Sequence, residues 1–367
     1  MRQTWAVTFL LFGVVPSAYG VTAQSGPVFV RSAFGGIIFG YDIDQNGTEG
    51  LLSEALDRGD GTVDIAVETF DQTSGRIVKV VARQTMTHNN FVTFGIYGNS
   101  VGLVELEKSK GIFVNQRLYG AMYPVDSNQF TGQWTPPLAN GDLILGMAPS
   151  QGSPSTAVLA SHGLTTFIFG TNVAANAFGP VISLTNPIFS AGNSPVFALD
   201  TLNNQAVVAA SVGAPLDRPT IAEVDLTTGN IVQFTGTGLG YVNGIAVDPA
   251  DGIACTSSEI DFGLEFYDLA ARTGFRVPLH NATNQSQSGG YVQFDPVNRL
   301  FLIGQEFSST APAGSSIQIF DPQGHFIRAI NGLSLPASPA YIALNPSRRI
   351  GYVIVTPALN QLQSFTY

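Results

Sequence analysis

The sequence predicts an all-β fold, a β-propeller of seven four-stranded blades with the N-terminal strand closing the last blade, on three observations. Turn formers abound, with 40 glycines and 21 prolines among 367 residues. Charge is scarce, at 11% of residues with lysine at only three positions, whereas helical bundles are rich in Glu, Lys and Arg. Finally, two short patterns recur in the C-terminal half at intervals of about 50 residues, the length of a propeller blade.

The first twenty residues read as a secretory leader. Arg2 is a short positive start, Ala6 to Val15 is uncharged and apolar, and Pro16 breaks any helix before the small-residue pattern Ala18-Tyr19-Gly20. Cleavage is expected after Gly20, with Ala23 as the rival site. Spanning a bilayer takes about 20 apolar residues, and this stretch is too short. Residues 27–367 are then expected to form one propeller domain, secreted, periplasmic or at the cell surface, with no membrane span.

The first recurring pattern is an apolar strand ending in Asp or Asn: Phe197 to Asp200, Ile245 to Asp248, Val292 to Asp295 and Ile342 to Asn345. The second is a strand running into an Asp-to-Gly turn: Asp71 to Gly75, Asp225 to Gly229, Asp268 to Gly274 and Asp321 to Gly324. Asp, Asn and Gly at these places supply turn geometry and end strand pairing. Blades are placed at 36–84, 88–135, 141–188, 194–237, 241–284, 289–333 and 338–367, with six or eight blades as the alternatives. In the clearest blade the strands are Gly244 to Val247, Ile253 to Ser257, Leu264 to Leu269 and Phe275 to Leu279. The last blade offers only three, Tyr341 to Leu344, Gly351 to Val355 and Gln361 to Tyr367, so Pro27 to Phe34 is expected as its fourth. Such closure removes free strand edges. Leu51, Leu52, Ala55 and Leu56 follow helical spacing, so blade one either holds a short helix there or overrides the local pattern by pairing.

Motifs such as Asn243-Gly244-Ile245-Ala246-Val247-Asp248 resemble the NHL and YVTN class of β-propeller repeats, over about half of the chain. The resemblance implies the blade and no particular activity, because propellers host enzymes, receptors and scaffolds alike. The repeat beginning at Asn243 also resembles propeller-type metal-dependent lactonases, in which an Asn-Gly at this place ligates the metal. Ser288-Gly289 stands where their Asp belongs, and their early glutamate has no counterpart, so Asn243 reads as a turn residue.

A net charge of −10 excludes the electrostatic footprint of a nucleic-acid binder. Cys255 has no partner for a disulfide and reads as a small core residue. Asp42, Asp44 and Asn46, followed by Gly47, alternate as oxygen ligands of a short calcium loop do, and resemble the calcium hairpins of integrin-type propellers. The position of the twelfth-place glutamate is taken by Ser53, and a plain Asn-Gly hairpin is the alternative. Calcium is the one cofactor expected. Loops joining strands two and three, and those joining blades, open on one face. That face receives Asp57, Arg58, His88, Glu259, Asp261, His280 and Glu306, together with Asp60, His162, Asp217 and Arg218. An acidic face of this kind suits a protein, peptide or carbohydrate ligand. The expected function is a binding or scaffold module, and the alternative is a hydrolase or lyase acting at the channel mouth. Asn46, Asn281 and Asn284 begin glycosylation sequons.

Overall fold

A computed structural model describes residues 26–367 apart from 45–46, 88–109, 116–118, 125–131, 135–136, 138–141, 149–154, 173–176, 212–218, 237–239, 259–262, 281–286, 308–315, 334, 336–340 and 356–359. The expected leader and the three sequons therefore lie outside the described residues.

The chain begins with the short strand β1 (Phe29–Arg31). Blade 1 follows as β2 (Ile37–Ile43), β3 (Glu49–Asp57), β4 (Thr62–Asp71) and β5 (Ile77–Thr87). Blade 2 shows three strands among the described residues, β6 (Lys110–Asn115), β7 (Tyr119–Pro124) and β8 (Gly132–Trp134). Blade 3 is β9 (Asp142–Ala148), β10 (Ser155–His162) and β11 (Thr165–Asn172), with its outer strand split into β12 (Ala177–Phe178) and β13 (Ile182–Leu184). Blades 4 and 5 are β14 (Val196–Asp200), β15 (Gln205–Ala210), β16 (Thr220–Asp225), β17 (Ile231–Thr235), and β18 (Val242–Asp248), β19 (Ile253–Ser258), β20 (Gly263–Asp268), β21 (Thr273–Pro278). Blade 6 is β22 (Gln287–Asp295), β23 (Leu300–Phe307), β24 (Ser316–Phe320) and β25 (Phe326–Asn331). Blade 7 is β26 (Ala343–Asn345), β27 (Ile350–Ile354) and β28 (Gln361–Thr366), completed by β1 in the order β1-β28-β27-β26.

The ring closes as the sequence predicts. Val30 of β1 pairs with Leu362 and is fully buried, while the Val28 carbonyl accepts from the Ser364 amide at 2.8 Å. First strands of successive blades pack together, β9 on β14, β14 on β18, β18 on β22 and β26 on β2, and so line the axis.

Leu51, Leu52 and Ala55 belong to strand β3, paired on both sides, and all three are buried. Their helical spacing is therefore overridden by pairing. A blade covered on both faces has no solvent side, so apolar residues fall on consecutive positions rather than alternating. The same double coverage puts the core between blades. One cluster joins Val30, Ile38, Tyr41, Leu52 and Phe70 to Ala343, Tyr352 and Leu362, which is the seam between blades 1 and 7. Cys255 is buried and free in the cluster between blades 5 and 6, and burial pushes its thiol well above the usual value.

Candidate functional site

Strands alternate in direction, so the hairpins joining strands one to two and three to four open on one end of the ring. Loops joining strands two to three, and those joining blades, open on the other end.

The hairpin end explains both sequence patterns. In the strand one-to-two hairpin, a buried Asp accepts backbone N–H groups of the turn. Asp200 takes Leu202 and Asn203 (both 3.1 Å), Asp248 takes Ala250 (3.0 Å), and Asp295 takes Val297 and Asn298 (2.8 and 2.9 Å). Asn345 does the same for Arg348 at 3.1 Å. Each turn then ends on a left-handed residue, Asn204, Gly252, Arg299 or Arg349, with φ between 51° and 65°. A side-chain cap that replaces a strand partner is the physical use of Asp and Asn in turns. The strand three-to-four hairpins repeat the device. Asp71 caps Thr73 and Ser74, Asp225 caps Thr227 and Thr228, Asp268 caps Ala271, and Asp321 caps Gln323 and His325. Much of the acidic excess is thus committed to the protein's own backbone.

Asp44 occupies the same register position in blade 1, its amide donating to the Glu49 carbonyl at 2.9 Å. The sequence that reads as a calcium loop is the first blade's copy of the recurring hairpin. Its Asp44 and Gly47 carbonyls accept from Asn345 Nδ2 of blade 7 at 2.9 and 3.0 Å, so two backbone oxygens of the kind a calcium loop offers an ion are already engaged. Asn46 lies outside the described residues. Asp42 Oδ1 accepts from the Ile43 amide at 2.8 Å. Because Asp44 and Glu49 form the hydrogen-bonded pair, the Ile43 amide points away from β3 and toward the channel. Asp42 is thus a half-buried carboxyl on the channel wall. Burial pushes its pKa up to about 7, with the Ile43 N–H opposing and the nearby Asp44 charge adding to the rise.

Close to it, the Tyr41 hydroxyl donates to the Tyr341 carbonyl and accepts from the Ile354 amide at 3.1 Å. Tyr341 meets the rings of Tyr41 and Tyr291 edge-on, with centroids 5.6 and 6.3 Å apart, and Tyr291 is 40% exposed. This grouping of Tyr41, Tyr291 and Tyr341 is not foreseen in the sequence. Its trace is an aromatic after a small residue at the repeat start, Gly290-Tyr291 and Ala340-Tyr341.

On the loop end, the described members of the predicted face have the following contacts. Asp57 Oδ1 accepts from the Gly59 amide at 2.8 Å, and Asp60 Oδ1 accepts from the Thr62 amide at 2.9 Å. Arg58 and Arg83 both reach Asp64 at 2.5 Å. Together with the Thr85 hydroxyl they hold the Asp64 carboxyl well below its usual range, the Thr85 hydrogen bond contributing most. The His280 ring stacks on Phe326 at 3.9 Å, and Gln318 brackets the His280 backbone. His162 is exposed in β10 opposite Thr165. Glu306 is in β23 opposite Ser288. His88, Glu259, Asp261, Asp217 and Arg218 lie outside the described residues. The Asn243-Gly244 step is structural, because a Cβ on Gly244 would stand 2.7 Å from the Gly290 carbonyl of the next blade.

A second feature missed in the sequence is the buried pair Glu54 and Glu68. Glu54 accepts from the Phe34 and Gly36 amides at 2.9 and 2.7 Å, and Glu68 Oε2 from the Ala33 amide at 3.0 Å. Both are at most 1% exposed, which closes them to a substrate. Among the described residues no three His, Cys, Asp or Glu side chains come together as a metal site, and no helix is long and apolar enough to cross a membrane.

No protein-family model matches the chain, and no curated protein matches it. Among solved structures, the β-propeller domain of Cps50 (Swd1) from Myceliophteria thermophila matches with a TM-score of 0.60 at 10% identity, over 92% of this chain and 98% of that one. At that identity the likeness is one of fold, and the class of protein is a β-propeller.

Proposed function

We propose that the protein is an exported binding module of the NHL and YVTN type that engages a protein, peptide or carbohydrate ligand at its loop end. The observation that carries the reading is the division between the two ends. Acids of the hairpin end are consumed in capping turns and joining blades; at the loop end Asp57, Asp60 and Arg58 are likewise engaged, but the His280 ring there and the Tyr291 ring on the channel wall are exposed. His88, Glu259, Asp261, Glu306 and the exposed His280 are its proposed contacts. A rigid ring with variable loops is a common platform for recognition.

Asp42, whose carboxyl burial raises to about 7 next to Tyr41, favours one alternative, a hydrolase or lyase at the channel. Calcium held by the carboxylates of Asp42 and Asp44 is a further proposal.

One set of measurements separates these. Arrays of oligosaccharides and peptides supply a binder, and its affinity is measured by calorimetry for wild type, for Glu259→Lys with Asp261→Lys, and for Leu202→Lys on the hairpin end. The binding reading expects the loop-end double variant to lose at least about tenfold in affinity, with the Leu202 variant unchanged. Equal effects, or no binder at all, argue against it. Turnover of generic ester or glycoside substrates that disappears in Asp42→Asn favours the enzyme. A melting temperature lowered by EDTA in wild type, but not in Asp42→Ala with Asp44→Ala, supports calcium; insensitivity to EDTA removes it.

A further inference from the structure

The chain passes from the closing strand β1 into blade 1 through residues 32–36, and this crossing is held from beneath by two carboxyls. Glu54 and Glu68 stand diagonally across β3 and β4, where Glu54 opposes Ala66 and Leu52 opposes Glu68. Cross-strand diagonals of this kind lie within reach of long side chains. Three of their four oxygens accept main-chain N–H groups of Ala33, Phe34 and Gly36. The fourth, Glu68 Oε1, is buried with no hydrogen-bond partner. Space at the crossing is tight, since a Cβ on Gly36 would come 2.6 Å from the Ala55 carbonyl and 2.8 Å from Glu54 Oε2.

Two carboxylates buried side by side repel, and an ionised oxygen without a donor loses its hydration uncompensated. A proton on Glu68 removes both problems. We propose that Glu54 and Glu68 share one proton that locks the seam between blades 1 and 7, so that the ring closes most firmly in acid and loosens at its N-terminal crossing in alkali.

Burial, together with the Glu54 charge, raises the Glu68 carboxyl above its usual range, against the lowering effect of the Ala33 N–H. The sign follows from linkage. A carboxyl that keeps its proton longer when folded contributes stability that is complete below the unfolded value of about 4.3 and is lost as pH rises through the folded value. Other described titratable and charged groups around this seam include Arg31 on β1, Tyr41 and Asp42 on β2, Asp44 in the following hairpin, Asp64 and Asp71 on β4, Arg83 on β5, Arg348 before β27 and Tyr352 on β27. Burial raises both tyrosines well above 10, and Asp64 is paired with Arg58 and Arg83. Arg83 stacks over the Phe34 ring at 4.4 Å. Asp42 titrates near neutrality and is the group to control for.

The test is melting of wild type, Glu68→Gln and Asp42→Asn from pH 5 to pH 9.5, joined to hydrogen exchange of the Ala33, Phe34 and Gly36 amides corrected for intrinsic rates. Glutamine keeps an acceptor for Ala33 and carries a permanent donor toward Glu54. Wild type is expected to lose about 5 °C more than Glu68→Gln across the range. In wild type, protection at the crossing should fall at least about tenfold between pH 6 and pH 9, while β15 and β16 amides keep theirs and Asp42→Asn follows wild type at the crossing. Parallel melting slopes for wild type and Glu68→Gln, or unchanged protection of the three amides, overturn the proposal. Should Glu68→Gln fail to fold, wild-type exchange decides alone.

Discussion

Asn345→Asp is expected to destabilise the protein by about 3 kcal/mol, although aspartate is the residue found at the same turn position in blades 4, 5 and 6. Capping the turn needs only an acceptor, which either residue supplies. Asn345, however, also donates through Nδ2 to the Asp44 carbonyl (2.9 Å), the Gly47 carbonyl (3.0 Å) and Gln72 Oε1 (3.0 Å), all in blade 1. The last blade must join the first, and an amide is the group that caps one turn while donating to the next. A carboxylate there would face three acceptors in a place that is fully buried. The reciprocal change, Asp295→Asn, keeps the caps to Val297 and Asn298 but sets an amide against Asn298 Nδ2, at a cost of about 1 kcal/mol. Urea unfolding checks both, as midpoints shifted at constant slope. Equal costs would mean that the blade 7 asparagine has no role beyond its own turn.

Val30→Asp is expected to abolish stable folding, with a penalty of about 4 kcal/mol or more, whereas Val30→Ala costs about 2 kcal/mol. Val30 is fully buried in the seam core, in one cluster with Ile38, Leu52, Tyr352 and Leu362. A buried carboxylate without a partner loses its hydration, and β28 would lose the strand that covers its edge. Circular dichroism melts and size-exclusion profiles report the result. A Val30→Asp protein that melts like wild type would show that β1 is dispensable.

Blades 4 to 7 were legible because each carries its capped hairpin in a four-residue pattern, from Asp200 to Asn345. Blade 1 was harder, because Asp42, Asp44 and Gly47 place turn chemistry and ion-binding chemistry on the same residue types. Local pattern also misleads at Leu51 to Ala55, where burial on both faces erases the alternation expected of a strand. The Glu54 and Glu68 pair was invisible, since an acid in a strand reads as solvent-facing until the neighbouring blade is known to cover it. At the loop end, Asp57, Asp60 and Arg58 are exposed but also hydrogen-bonded within their own turn or to Asp64. Spacing along the chain does not show which polar groups are already used.

The claim on which the rest depends is that the N-terminal strand closes the ring. Phe29 and Gln363 are directly opposed, and the neighbouring Val28 and Ser364 share the main-chain hydrogen bond, so Phe29 and Gln363 form the closer, non-bonded type of pair. In the Phe29→Cys, Gln363→Cys variant, oxidation should give one intrachain disulfide in the folded monomer, identified by peptide mass spectrometry, and reduction should lower the melting temperature. Free thiols in the oxidised monomer, or cross-links only between chains, would contradict closure by β1.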